Sequence, residues 1–211
     1  MDKPLAIKND AAMLSLILAG QLAAAQLVSE LPFRPRDLPI GEFAAGPNAR
    51  LMAYRATIRP DGTIQDCKVE ISSGSVSLDK ITCRSVTRRA RFKPATMADG
   101  GRAYGVYRST AAWVVDPPAS YIYPMDMQLK VARLPTGERS PATVDVAMSV
   151  DPEGKASSCI ADDTSRKKNH PVLVQAACRE LVSKYRALPA LTDAGAPVAS
   201  VQNARVSFVQ D

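Results

Sequence analysis

The sequence predicts an α+β protein of two tandem units, each a small antiparallel sheet (strand, strand, helix, strand) with one helix packed on it and one disulfide inside it. Three observations lead there. Landmark residues recur at a nearly constant offset, the hydrophobic period switches from two to that of a helix inside each copy, and four cysteines fall at matching places.

The repeat comes first. Gly62 of RPDG matches Gly154 of DPEG 92 positions on, and Cys67 matches Cys159 at the same offset. Three extra residues then enter the second copy, and the offset becomes 95: Leu78 matches Leu173, Cys83 matches Cys178, Pro94-Ala95 matches Pro189-Ala190, Gly100 matches Gly195 and Trp113 matches Phe208. Landmarks of so many types, with one small insertion, indicate duplication.

Each copy opens on a strand. Met52, Tyr54, Ala56 and Ile58 alternate with Ala53, Arg55, Thr57 and Arg59; Val144, Val146, Met148 and Val150 alternate with Asp145, Ala147, Ser149 and Asp151. Period two with one apolar side is a half-buried strand. PDG and PEG follow as tight turns, proline presetting φ and glycine allowing positive φ. Second strands run near Ile64 to Ile71 and Ala156 to Ala161.

The period then lengthens. Leu78, Thr82, Cys83, Val86 and Ala90 share one side of a helix, as do Leu173, Ala177, Cys178, Leu181 and Tyr185. Ser77 is the expected cap of the first helix. Asn169 or His170, followed by Pro171, caps the second. Pro94 and Pro189 stop the helices. In the last strands Tyr107, Ser109, Ala111 and Trp113, and Gln202, Ala204, Val206 and Phe208, face inward.

Ahead of the units, Lys3 and Lys8 precede an uncharged run over residues 11–28. Its length and small-residue end read as a secretory signal, residues 1–25, cleaved after Ala25. The alternative is an uncleaved membrane anchor, for which about 20 apolar residues are needed. The domains are then 26–118 and 119–211. Either fate exports the chain to the periplasm, an oxidising compartment where four cysteines become bridges. The repeat selects the pairs within each copy, Cys67 with Cys83 and Cys159 with Cys178. Each closes a loop of about 16 to 20 residues, a constraint of roughly 3 kcal/mol in the loop-entropy model. Neither pair has the close spacing of a metal site, so no metal is expected.

Net charge is +6 with 5% aromatic residues, which does not suit nucleic acid and its stacking platforms. Lys80, Arg84, Arg88 and Arg91 lie opposite the apolar stripe of the first helix. They read first as a solvated face with positive charge near the helix C-terminus. Their functional reading is an anion-binding face for peptidoglycan or lipid head groups. No nucleophile elbow, HExxH or P-loop pattern is present. The single histidine, His170, reads as a cap, and Asp61, Asp162 and Asp163 as turn acids. No catalytic residue, no enzyme activity and no cofactor are expected.

The ordered set PDGTIQDCKVEISSG, LDKITC, RRARFKPATMADGG and AAWVV resembles the C-terminal domain of the TonB family of energy transducers. DPEGKASSC, LVQAACRELVSKYRALPALTDAG and ARVSF resemble it more weakly. The resemblance implies a strand at the edge of the sheet that pairs with an extended segment, the Ton box, of an outer-membrane TonB-dependent transporter. Mapped here, the receiving strands are the last of each copy, with Val106, Arg108, Thr110, Ala112, Val114, Asn203, Arg205 and Ser207 as partner-binding positions. Two other readings use the same residues: a structural envelope protein acting through the basic helix face, and a homodimer joined by edge strands.

Overall fold

The computed structural model describes residues 21–29, 33, 37, 50–113, 124–162 and 169–210. The start of the expected signal, Val114 and Asp163 lie outside them. In chain order the elements are β1 (Gln26–Leu27), β2 (Arg50–Ile58), β3 (Ile64–Ile71), α1 (Val76–Arg89), β4 (Phe92–Lys93), β5 (Ala95–Thr96), β6 (Arg102–Trp113), β7 (Met127–Val131), β8 (Ala142–Val150), β9 (Ala156–Ala161), α2 (Pro171–Lys184), β10 (Ala190–Leu191), β11 (Pro197–Val198) and β12 (Ser200–Gln210).

The α+β class and both bridges are present, Cys67–Cys83 and Cys159–Cys178, with Cα atoms 5.3 and 5.4 Å apart. In each half the bridge ties the second strand to the helix. Whether the two small sheets join is not decided by the sequence. The halves share one sheet of eight strands, whose main path is β3-β2-β6-β12-β8-β9, with β5 beside β6 and β7 beside β12. The join is parallel, Tyr104, Gly105 and Val106 of β6 facing Ser200, Val201 and Gln202 of β12. All other pairs on the main path are antiparallel.

Register then fixes where the helices lie. Met52, Tyr54, Ala56 and Ile58 pack with Val86 of α1 and with Ala90, which caps it. Gly105 is opposite Ile58, and Val201 is opposite Gly105, so all three point to the α1 face. Val201 and Ala147 do join that first core. The neighbouring residues Gln202, Ala204, Val206 and Phe208 point the other way. The last three of these form the second core with Val144, Val146, Met148 and the α2 residues Leu173, Ala177 and Leu181. The two helices therefore cover opposite faces of one sheet.

This arrangement explains a second departure. The alternation of β2 and β8 predicts one dry and one wet face. Instead Ala53 and Ala147 are each only 1% exposed, and Thr57 and Ser149 are also buried. At the centre of a sheet covered from both sides, the polar-side positions lose their water too.

Helix α1 begins at Ser75, not Ser77. The Ser75 side chain accepts from the Leu78 amide, while Ser72 and Ser73 donate to the Asp79 carboxylate. Helix α2 begins as expected: His170 Nδ1 accepts from the Val172 amide at 3.3 Å, and Pro171 supplies the preset first turn. Trp113, buried at the end of β6, satisfies its indole N–H by donating to Thr82 Oγ1 at 3.0 Å.

The turn glycines do matching work. Gly62 (φ 86°) and Gly154 (φ 83°) lie in left-handed conformation after β2 and β8. A Cβ on either would fall 2.2 Å from a carbonyl oxygen, that of Phe92 or of Ala187. Those same residues, just past each helix, donate their amides to the two glycine carbonyls. The turn thus holds the chain leaving the helix against the sheet, and only glycine permits the approach. Gly154→Ala is expected to lower unfolding free energy in urea by about 3 kcal/mol, combining strain and clash. Gly195→Ala, also at positive φ but with nothing near its Cβ position, is expected to cost about 1 kcal/mol.

Candidate functional site

In the strand order the expected receiving strands lie inside the sheet and not at its ends, with β6 flanked on both sides over part of its length. β6 has β2 along one side from Gly105 to Trp113, and β12 on the other from Tyr104 to Val106. β12 has β8 on one side from Ser200 to Phe208; on the other it has β6 over Ser200–Gln202 and β7 over Val206–Gln210. Val106 and Ser207 are buried. Asn203 donates to the Asp162 carboxylate, and Arg205 makes a two-pronged ion pair with Asp145 at 2.6 and 2.8 Å. Thr110 and Ala112 sit half-buried on β6.

Arg108 belongs to a polar junction between the halves. Its guanidinium donates to Glu70 at 2.9 Å and also to Asp126. Asp126, whose side chain is 4% exposed, accepts in addition from the Tyr185 hydroxyl at 2.7 Å and the Arg205 amide at 2.8 Å. Nearby, Arg55 donates to the carbonyls of Leu188 and Pro189, and Gln202 to that of Leu188. Burial works against the Arg108 charge, but Asp126 and Glu70 outweigh it and hold the guanidinium above its ordinary range. Burial lowers Arg55, with the nearby carboxylates acting in opposition. Burial, and then the Asp126 carboxylate, push the Tyr185 phenol well up. None of Asp126, Glu70 or Arg55 carries a sequence signal for this role, because the network forms only when two distant segments meet.

The sheet ends at β3 and β9. Val69 and Ile71 on β3 and Ile160 on β9 are exposed, as are Val76 and Val172 at the starts of the adjoining helices. Beside β9 lies an open cleft of about 600 Å³, lined mainly by Cys159, Ala161, Pro171, Val172, Val174 and Cys178. An end strand with apolar side chains and an adjacent cleft can take a further strand, backbone bonds giving affinity and the cleft reading alternate side chains.

The basic positions Lys80, Arg84, Arg88 and Arg91 are all exposed. Arg91 lies past the helix, its guanidinium donating to the carbonyls of Ala90 and Arg88. Arg89, not in the expected set, pairs with Asp37. Asp61 accepts from the amide and hydroxyl of Thr63 in its turn. Among the described residues no helix is long and apolar enough to cross a membrane, and no cluster of His, Cys, Asp or Glu could hold a metal.

Residues 52–107 match the family described as Gram-negative bacterial TonB protein C-terminal. The matched stretch runs from β2 into β6 and includes the first disulfide. No curated protein and no solved structure matches the chain.

Two outcomes follow from the junction. Asp126→Ala leaves Arg108 and Tyr185 without their shared partner and is expected to cost about 3 kcal/mol in urea unfolding, the low end for a broken buried pair because Glu70 remains. Tyr185, and Tyr54 through burial and Tyr107, have folded pKa values raised above the unfolded value of about 10. The folded state therefore binds these protons more tightly. Their contribution is whole below pH about 10 and is lost as pH rises beyond it. Tyr185→Phe is expected to flatten the alkaline fall of stability, measured as melting temperature between pH 8 and 11.

Proposed function

We propose that the protein is a periplasmic TonB-like module that receives an extended segment of an outer-membrane TonB-dependent transporter by β-strand addition, in the service of energy transduction for transport. The observation that carries this reading is the family match over residues 52–107, in a sheet whose end strands each pair on one side only among the described residues. The disulfides fit the compartment, since such bridges persist in the oxidising periplasm.

The receiving strands are β9 and β3. A partner adding to β12 over Ser200–Gln202 would have to displace β6, and one adding over Val206–Gln210 would have to displace β7. Addition at an end strand displaces nothing on the main path. Of the two, β9 has the cleft that can read side chains. A second reading is favoured by the exposed row Lys80, Arg84 and Arg88: an envelope protein gripping anionic peptidoglycan or lipid head groups.

Backbone amide shifts of the oxidised chain titrated with Ton-box peptides, at 50 and 300 mM salt, separate the two. Shifts along β9 or β3, unchanged between the salts, are the expected result. Shifts confined to α1 and lost at the higher salt would instead establish the charged face, because exposed charges are screened beyond about a Debye length. A mass that rises with concentration without peptide would place a second copy on the end strand.

A further inference from the structure

The stretch expected to end in a signal cleavage site is docked in the fold. β1 runs antiparallel to β4, Gln26 opposite Lys93 and Leu27 opposite Phe92. Ala23 and Thr96 exchange both backbone hydrogen bonds, at 2.9 and 3.0 Å, and the Val28 amide donates to the Arg91 carbonyl at 2.9 Å. Leu22, Ala24 and Ala25 are buried in the first core, Ala25 at 1% exposure. Ala25 lies over Gly105: a Cβ on that glycine would be 2.8 Å from that of Ala25. Residues 22–28 are thus an added strand on the edge running from Arg91 to Thr96.

The second half shows no such strand among its described residues. Its equivalent edge runs from Arg186 to Leu191. There the carbonyls of Leu188 and Pro189 take side-chain donors from Arg55 and Gln202, and Leu188 is 72% exposed. No strand among the described residues runs along it as β1 runs along β4.

The docked segment also has a competing use. Cleavage after Ala25 would cut through it. A spanning helix of about 20 residues would need the whole uncharged run, residues 11–28, including every docked position.

We propose that the Arg91–Thr96 edge is a strand-accepting site for an extended polypeptide segment with small residues facing Gly105, and that residues 22–28 hold it only until export or membrane insertion withdraws them. The seated segment defines the chemistry of the occupant. It presents a leucine, two buried alanines and a half-buried leucine, with backbone bonds on one side, and the Ala25 position is 1% exposed and packed against Gly105. That the partner segment belongs to a transporter rests on the proposed function; the site itself does not.

The test uses the full chain and a fluorescein-labelled peptide of residues 21–29, read by anisotropy. In the wild type the internal segment outcompetes the peptide, so capture is expected to be at least 30-fold weaker than in Ala25→Arg, whose own strand cannot seat over Gly105. Val28→Pro, which removes the Val28 amide's hydrogen bond to the Arg91 carbonyl at an exposed position, is expected to show an intermediate gain of about fivefold. A peptide carrying Ala25→Arg should not be captured by either variant. Near-ultraviolet circular dichroism of Trp113 and thiol titration establish that the variants are folded and oxidised. A folded Ala25→Arg or Val28→Pro chain that captures no more peptide than wild type overturns the proposal. Adding Ton-box peptide to the captured complex then asks a separate question. Displacement identifies the transporter segment as an occupant, whereas capture without displacement leaves the site standing and removes the transporter reading from it.

Discussion

The parallel pairing of β6 with β12 is the constraint on which the rest of the molecule depends. It spans only three residue pairs, yet it decides that the halves form one sheet. Because the two strands run the same way, like units on either side must present opposite faces, and α1 and α2 are sent to opposite sides. From that follow the double-sided burial of β2 and β8, the enclosure of Arg108 and Asp126 at the junction, and the placement of β3 and β9 at the two ends. An antiparallel join would have put both helices on one face and left the other open to water.

Much of this plan was legible in the chain. Strands β2, β8, β6 and β12 announced themselves by alternation, the helices by their longer period, and the disulfide pairs by the matching places of the cysteines in the two copies. The cap at His170 was readable from Pro171. The cap at Ser75 was missed because three serines stand close together, and only the reach of Asp79 back to Ser73 settles which one serves. What alternation cannot give is which neighbour a strand takes. The sequence of β12 looks the same whether its outer side meets water, a partner or β6. For that reason Asn203, Arg205 and Ser207 read as partner-binding positions, when Arg205 is committed to Asp145 and Ser207 is buried. Likewise the small residue at Ala25 reads from composition only as a peptidase's preference, whereas the fold places it in close approach to Gly105.

The halves follow the same order of strand, strand, helix and strand, but differ where they meet other chain segments. After α1 the exit strand is covered by the main chain of residues 23–28, while after α2 the carbonyls of Leu188 and Pro189 take the side chains of Arg55 and Gln202. The polar junction is equally one-sided: Asp126 gathers Arg108 from the first half and Tyr185 and the Arg205 amide from the second. Residues 52–107, where the family resemblance is measurable, belong to the half whose exit strand is paired rather than capped.

The two disulfides acquire a mechanical meaning from their position. Each fastens an end strand of the sheet to a helix packed on its inner face, β3 to α1 and β9 to α2. A load applied along an end strand draws on all its backbone bonds at once, in shear, whereas a load applied across it opens them one after another, as a zipper. A covalent tie near the middle of the strand stops the zipper there. The oxidised protein should therefore yield as a block under tension, and the reduced protein should unravel from its rims inward.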